Sequence, residues 1–359
     1  STTKSCTQNG VRGGSSTTHF PFWHKEIEDI LVLKNNRGTD DNRVRKMDYS
    51  IQFCRLFYRR FVADKHITLF SPHEVKDLYE AFGYDNDKFE ELYEHYERSR
   101  TVSKKKIKAR AFFNAFCKER IETGRIYVMN IDHCNDHSSF TDKIKMSNLC
   151  QEITLPTTPL SHIDDNCNTD AEIALCVLSA INVGAIKLSE LPDICMNIVR
   201  SLDSVIEEQF YPVGASQKML KRRSIGVGIT NLAYYLAKNG VTYDDPEACN
   251  VVDELAENIS YNMIKASVQL AKEKGKCEWF DRTKYAKGIL PVDTYVKSVN
   301  KLVTRKSKLN WDKLRKGIKE HGMRNSTLMA LMPCESSSLV TNSTNGIEPP
   351  RGLFSVKKS

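Results

Sequence analysis

The sequence predicts an α/β fold. Short β-prone runs, such as 67–70 and 125–129, alternate with longer segments whose apolar residues recur every three or four positions. Hydrophobic residues make up 40% of the 359 positions and charged residues 27%, which is typical of a soluble chain with a large core. No apolar run approaches the ~18 residues that a membrane span needs. These observations exclude the membrane-spanning, collagen-like and wholly disordered classes.

The elements follow from periodicity and from turn residues. A glycine-rich stretch at 10–16 predicts a loop. Helices are predicted where apolar residues recur at helical spacing, at 20–33, 87–99, 104–122, 190–210, 223–238, 246–275 and 311–318. Strands are predicted for short apolar or alternating runs, at 67–70, 125–129, 148–155 and 325–332. Ser71, with Pro72 after it and Glu74 at the third position, predicts another helix start.

Charge and cysteine content limit the function further. Lys and Arg total 53 against 45 Asp and Glu, a net charge of +8 that is diffuse apart from 104–108 and 221–223. This excess suits anionic small molecules as well as nucleic acid. Eleven irregularly spaced cysteines, without a signal-peptide pattern, predict a reducing compartment and a cytoplasmic location.

The first candidate site is the sequence around Cys150. If 148–155 is a strand, alternation places Asn148, Cys150 and Glu152 on one face. A thiol between a carboxylate and an amide is suited to act as a reactive centre. The alternative is a buried structural cysteine beside ordinary polar neighbours.

Two other segments have the composition of anion sites. Small hydroxyl residues follow the predicted strand at 333–338, where backbone N–H groups can bind phosphate; the alternative is a serine-rich helix cap. Glycines at 10–14 permit close approach to a ligand beside the guanidinium of Arg12; the alternative is a simple turn.

Metal and nucleic-acid sites are weaker hypotheses. His133, Cys134 and His137 are potential zinc ligands, but their spacing lacks the paired pattern of zinc sites, so we expect no metal. The basic run at 104–110 is interrupted by Ile107 and predicts the solvated face of a helix.

The order of the motifs resembles the large (alpha) subunit of class I ribonucleotide reductase. The matching blocks are 3–14, 31–38, 123–127, 132–135, 147–152, 172–176, 285–291, 324–327, 333–338 and 345–352. The resemblance implies a ten-stranded α/β barrel with the radical cysteine on an interior loop. Residues 1–359 would be the central part of this barrel, truncated at both ends, with the N-terminal regulatory region and the C-terminal radical-relay segment absent.

The resemblance also implies roles for individual residues. Cys150 resembles the thiyl-radical cysteine and Glu152 the general base, while Asn148 would hold the sugar hydroxyls. Cys176 resembles one half of the redox pair that reduces C2′. The diphosphate cradle would comprise Pro333, Cys334, Glu335, Ser336 and Ser337, and the effector and base loop Cys6, Gln8, Arg12 and Gly13. The chain departs from the family pattern at Asn9 and Cys334, where glycine and serine are usual.

The same resemblance implies partners. They are a ribonucleoside diphosphate substrate, deoxynucleoside triphosphate or ATP effectors, a small (beta) subunit whose metal cofactor supplies the radical, thioredoxin or glutaredoxin, and a second alpha chain. No cofactor is expected to bind this segment directly. We expect the isolated segment to be inactive, because its second redox thiol and its radical relay would lie outside it. The alternative is a nucleotide-binding segment that acts only with a complementing polypeptide.

Overall fold

The chain divides into two compact units. A computed structural model describes residues 2–7, 10–162 and 170–352. The first unit comprises Ser1–Ser138 and Lys143–Thr154, and the second comprises Ser139–Asp142 and Leu155–Ser359. In the first unit, strands β1 to β5 are Thr17–Pro21, Asp48–Phe53, His66–Phe70, Lys104–Lys108 and Ile126–Asn130. Its helices α1 to α7 are Thr2–Ser5, Ile27–Leu31, Arg55–Val62, Lys76–Ala81, Asn86–Arg98, Ala109–Thr123 and Ile131–His137.

The central sheet of the first unit is parallel, in the order β1-β2-β5. The register places His19, Ser50 and Tyr127 side by side in one row. Every residue of β2 is buried, including the polar side chains of Ser50 and Gln52. A buried polar side chain requires a partner, so this face of the sheet must hold something polar.

Strands β3 and β4 form a separate antiparallel pair. The prediction of a helix from 104 was wrong over β4, and the helix begins only at Ala109. Ile107 pairs with buried Ile67, while most of the lysines on β4 are exposed. Lysine-rich edge strands resist pairing with other chains, which makes this sequence suitable for an edge.

The second unit contains a parallel pair, β6 (Val177–Asn182) and β7 (Ile225–Thr230). Its helices α8 to α15 are Leu191–Glu208, Gly214–Gln217, Met219–Arg222, Leu232–Lys238, Pro246–Lys274, Pro291–Thr294, Trp311–His321 and Glu335–Val340. Helix α12 packs against α8 over a buried core. The extended stretch 327–330 lies beside β7, and the Val227 N–H on β7 donates to the Leu328 carbonyl over 2.9 Å.

Several predicted elements are confirmed. These are the strands at 67–70 and 125–129 and the helices at 87–99, 190–210, 246–275 and 311–318, now β3, β5, α5, α8, α12 and α14. Helix α12 starts at the Asp245 cap and ends at Gly275. The predicted loop at 10–16 contains neither a helix nor a strand.

Other predicted boundaries were wrong. The predicted helix at 20–33 overlaps the end of β1 and contains the shorter helix α2, and the predicted helix at 223–238 contains β7 before α11 begins. Helix α4 starts at Lys76 and not at Ser71. Residues 325–332 are largely buried and extended as expected, but form only one isolated bridge, between Val227 and Met329. Pairing with strands distant in sequence determines whether these short apolar runs become strands or helices. The periodicity of the runs themselves does not reveal that pairing.

The sheets found in the described ranges have three, two and two strands, and none closes into a barrel. Within those same ranges, no helix has both the length and the apolar character needed to cross a membrane.

Candidate active site

Cys150 lies in a tight loop and not on a strand, so the predicted strand at 148–155 was wrong. Leu149 and Cys150 form a turn, and Gln151 follows with a left-handed backbone, φ +67°. Asn148 closes the loop, because its Oδ1 accepts the Ile153 N–H over 3.2 Å. A turn therefore groups Asn148, Cys150 and Glu152. Alternation along a strand does not.

Polar side chains of the central sheet hold this loop. Thr17 Oγ1 on β1 donates to the Leu149 carbonyl over 2.8 Å, and Gln52 Nε2 on β2 donates to the Lys145 carbonyl over 2.6 Å. Ser50 Oγ on β2 donates to Gln151 Oε1 over 3.4 Å. The polar face of β2 therefore finds its partners in the loop that carries Cys150.

The environment of Cys150 keeps its sulfur protonated. Burial raises the pKa of the Cys150 thiol, the Glu152 carboxylate raises it further, and Arg12 partly opposes both. A raised pKa leaves a neutral S–H group at pH 7, whereas nucleophilic cysteines have a lowered pKa and are thiolates. The site is therefore suited to chemistry on the S–H bond more than to attack by a thiolate.

Glu152 has an unused acceptor beside this thiol. Its Oε2 is buried and has no hydrogen-bond partner within the described part of the chain. A buried carboxylate oxygen without a donor is costly. A substrate hydroxyl is the kind of donor that would satisfy it.

The N-terminal segment of the first unit places two of its predicted residues at the surface. Cys6 and Arg12 are exposed, and a side chain at Gly13 would meet nothing within 4 Å. Arg12 nevertheless acts electrostatically on Cys150. Gln8 lies outside the described residues.

Cys176 belongs to the second unit and precedes β6. A Cβ added at Gly226 on β7 would lie 3.1 Å from Cys176 Sγ and 2.9 Å from the Ala330 Cβ. Because residue 226 is glycine, there is room beside it for the thiol. Sequence patterns alone did not identify this glycine.

The predicted phosphate segment runs from the extended stretch into α15. Pro333 is exposed, and so are Glu335, Ser336 and Ser337 in the first turn of α15. Cys334, at the cap position, is buried, and burial raises the pKa of its thiol. Its backbone N–H donates to Asn345 Oδ1 over 2.8 Å, so Asn345 positions this turn.

Sequence reasoning missed other residues near Cys150. Tyr127 on β5 is partly buried, and its pKa is raised by burial and by the charge of Asp48. His19 on β1 contacts Gln151. The available signal was the polar residues at alternate positions of an otherwise apolar strand, such as Ser50 and Gln52.

The potential zinc ligands lie on α7. The imidazole rings of His133 and His137 are 5.8 Å apart. Over residues 2–7, 10–162 and 170–352, no group of three or more His, Cys, Asp or Glu side chains is arranged to hold a metal ion.

Comparison with known proteins gives consistent matches over the chain. The family described as "Ribonucleotide reductase, barrel domain" matches residues 1–359. The chain is 53% identical to a ribonucleoside-diphosphate reductase subunit alpha of Buchnera aphidicola (subsp. Baizongia pistaciae), covering 100% of this chain and 47% of the relative. It is 53% identical to the Haemophilus influenzae subunit alpha and 50% identical to subunit alpha of Escherichia coli reductase 1, each over 99% of this chain and 47% of the relative.

The chain thus spans about half the length of these curated relatives. The match over all 359 residues agrees with the order of motifs described above. The chain belongs to the ribonucleotide reductase barrel-domain family.

Proposed function

We propose that this chain is the central catalytic-barrel segment of a class I ribonucleotide reductase alpha subunit, which reduces ribonucleoside diphosphates to deoxyribonucleotides for DNA synthesis. The observation that carries the proposal is the Cys150 loop. A partly buried, protonated thiol lies on a turn fixed to a sheet, beside a carboxylate oxygen that lacks a donor. Family membership and about 50% identity to alpha subunits support it.

In this proposal Cys150 acts as a thiyl radical. The sulfur takes the 3′ hydrogen atom of the ribose, so that an S–H bond forms and a carbon radical remains on the sugar. Glu152 Oε2 accepts the proton of the 3′ hydroxyl, which gives the unpaired oxygen its donor. Because Asn148 Oδ1 already accepts the Ile153 N–H, the contact to the sugar hydroxyls falls to the Asn148 Nδ2 amide.

The remaining roles concern reduction and binding. Cys176 and a second thiol elsewhere in the longer protein together supply two electrons and two protons: one proton joins the C2′ hydroxyl, which leaves as water, the other joins C2′, and the two sulfurs join as a disulfide. The segment 333–337, which leads into α15, binds the diphosphate through backbone N–H groups and hydroxyls. Cys6, Gln8, Arg12 and Gly13 link the effector, a deoxynucleoside triphosphate or ATP, to the substrate base.

The wider assembly follows from the same family. The barrel has ten strands and a second alpha chain pairs with the first. The small beta subunit supplies the radical from its own metal cofactor, and thioredoxin or glutaredoxin reduces the disulfide. The protein works in the cytoplasm, where thiols stay reduced.

The test is turnover of labelled cytidine diphosphate. The alpha protein that contains this chain is assayed with the small subunit and a dithiol reductant, and deoxycytidine diphosphate is measured. We expect Cys150→Ser to abolish product formation, because serine cannot form a thiyl radical. Cys117→Ser, on α6, is the matched control and should retain activity. Full activity of Cys150→Ser would overturn the proposal, and nucleotide binding without turnover in the unmodified protein would favour the nucleotide-binding alternative.

A further inference from the structure

Gln151 combines a strained backbone with an anchored side chain. Its φ of +67° places it in the left-handed region, which is unfavourable for a residue other than glycine. Such conformations persist where surrounding contacts hold them. Glycine would adopt the same backbone without strain, so the presence of glutamine indicates that the side chain has a function here.

The side chain of Gln151 reaches both neighbouring strands of the central sheet. Its Oε1 accepts from Ser50 Oγ on β2 over 3.4 Å, and its Nε2 lies 3.5 Å from His19 Nε2 on β1. The same Nε2 lies 3.4 Å from the Asn148 carbonyl, within the loop itself. The amide therefore links the Cys150 loop to two adjacent strands.

His19 is suited to accept from this amide. Burial lowers its pKa to about 4, with a smaller opposing effect of the Ser147 backbone, so the imidazole is neutral at pH 7. A neutral imidazole has one acceptor nitrogen. When the Gln151 amide nitrogen is the donor, the acceptor is His19 Nε2 and the proton of the neutral ring lies on Nδ1.

We propose that Gln151 is a positioning residue for Cys150, holding the turn by its amide between His19 and Ser50. The left-handed backbone at 151 reverses the chain between Cys150 and Glu152, and the anchored amide keeps it reversed. This inference rests on the proposed function of Cys150 as the reactive thiol. Its test does not require the reductase assay.

The first test separates the backbone of Gln151 from its side chain. Gln151→Gly keeps the left-handed turn and removes the anchor. In the full chain we expect iodoacetamide to alkylate Cys150 about tenfold faster, which corresponds to about 1.4 kcal/mol of lost restraint. The free energy of unfolding should change little, because relief of the backbone strain offsets the hydrogen bonds lost with the amide. Peptide mass spectrometry measures the alkylation rate and urea denaturation the stability.

Asn342→Gly is the matched control, since Asn342 also has a left-handed backbone, φ +49°, and lies just after α15. It should leave the alkylation rate of Cys150 unchanged. An unchanged rate in Gln151→Gly would show that Gln151 is only a turn residue and would overturn the inference.

The second test is a double-mutant cycle. His19→Phe and Gln151→Leu each leave one polar group buried without its partner, so each should accelerate alkylation of Cys150. In the double variant the rate should be within about twofold of that of Gln151→Leu alone, because without the amide His19 has no bond to the loop left to lose. Effects that simply add in the double variant would count against the pairing. Alkylation does not require turnover, so failure here is distinguishable from failure of the Cys150→Ser assay.

Discussion

At the scale of single residues, the first unit uses polar side chains where a sheet would ordinarily be apolar. Ser50 and Gln52 are buried at 0% and 3% exposure, and both bond to the Cys150 loop. Each such group is costly when unpaired, so the loop and the sheet face depend on each other. Substitutions here are expected to alter the loop before they alter the fold.

His19 should make stability depend on pH. Its folded pKa of about 4 lies below the ordinary value of 6.5, so between these values the unfolded chain binds a proton that the folded chain rejects. The contribution of neutral His19 to the free energy of unfolding is present above pH 6.5 and is lost as the pH falls towards 4. As the pH falls from 6.5 to 4, we expect the free energy of unfolding to decrease less in His19→Phe than in the unmodified chain. The difference between the two decreases is at most about 3 kcal/mol.

Urea denaturation at pH 7 and pH 4.5 measures this difference. His66→Phe replaces an exposed histidine on β3 and should show the same pH dependence as the unmodified chain. Equal acid sensitivity in the His19 and His66 variants would contradict the prediction.

In the second unit, Glu172 and Arg222 form a buried ion pair. Both side chains are at most 5% exposed; Arg222 contacts Glu172 through Nε, and its NH2 group donates to Glu172 Oε2 over 2.9 Å. Glu172→Gln removes one of the two carboxylates that pair with the Arg222 guanidinium and leaves only Asp142, whose Oδ2 lies 3.0 Å from NH2, so we expect the free energy of unfolding to fall by about 2 kcal/mol. Denaturant titration measures it, with Glu91→Gln at an exposed pair as the control, expected within about 0.5 kcal/mol of the original. A similar loss in both variants would refute the distinction.

At the scale of elements, β7 shows how a strand accommodates a neighbouring chain. Gly226 and Gly228 alternate along it; a Cβ at 226 would lie 2.9 Å from the Ala330 Cβ and one at 228 would lie 2.5 Å from the Ala330 carbonyl oxygen. The two glycines therefore allow the stretch 329–332 to lie close against the strand.

Gly226→Ala should destabilise the second unit by about 1–3 kcal/mol through overpacking. It should also change the alkylation rate of Cys176, because the added methyl group would lie 3.1 Å from its sulfur. Gly317→Ala, where the helix α14 leaves space for a methyl group, is the control and should be neutral or stabilising by up to about 1 kcal/mol. Equal effects on Cys176 and on stability in both variants would argue against close packing at β7.

Elements with strong local signals were predictable, and those that depend on distant partners were not. Helix α12 has a capping aspartate, a proline start and a terminal glycine, all within its own sequence. The sequence of strand β4 alone predicts a basic helix, and the strand is recognised only from the pairing of Ile107 with Ile67, forty positions earlier. The site divides in the same way: the family resemblance identified Cys150 and Glu152, but the His19 and Gln151 contact arises from strand pairing, which no local motif encodes.

At the scale of the whole molecule, the cysteines of the described ranges lie in different environments. Cys6 is exposed, whereas Cys54, Cys195 and Cys277 are buried and burial raises the pKa of each to about 12. A disulfide reagent at pH 8 should therefore label Cys6 within seconds to minutes and the other three only as the chain unfolds. Timed labelling with peptide mapping measures the order. Early labelling of the three buried thiols in the folded chain would contradict it.

The glycines of β7 also limit which substitutions this strand can accept during evolution. Every single-base change that replaces glycine by another amino acid introduces a side chain, and even the smallest, alanine, adds the atom that β7 excludes at 226 and 228. Neither glycine therefore has a sterically neutral replacement one base change away. Drift at β7 must therefore begin elsewhere, at Ala330 or Met332, before either glycine can change.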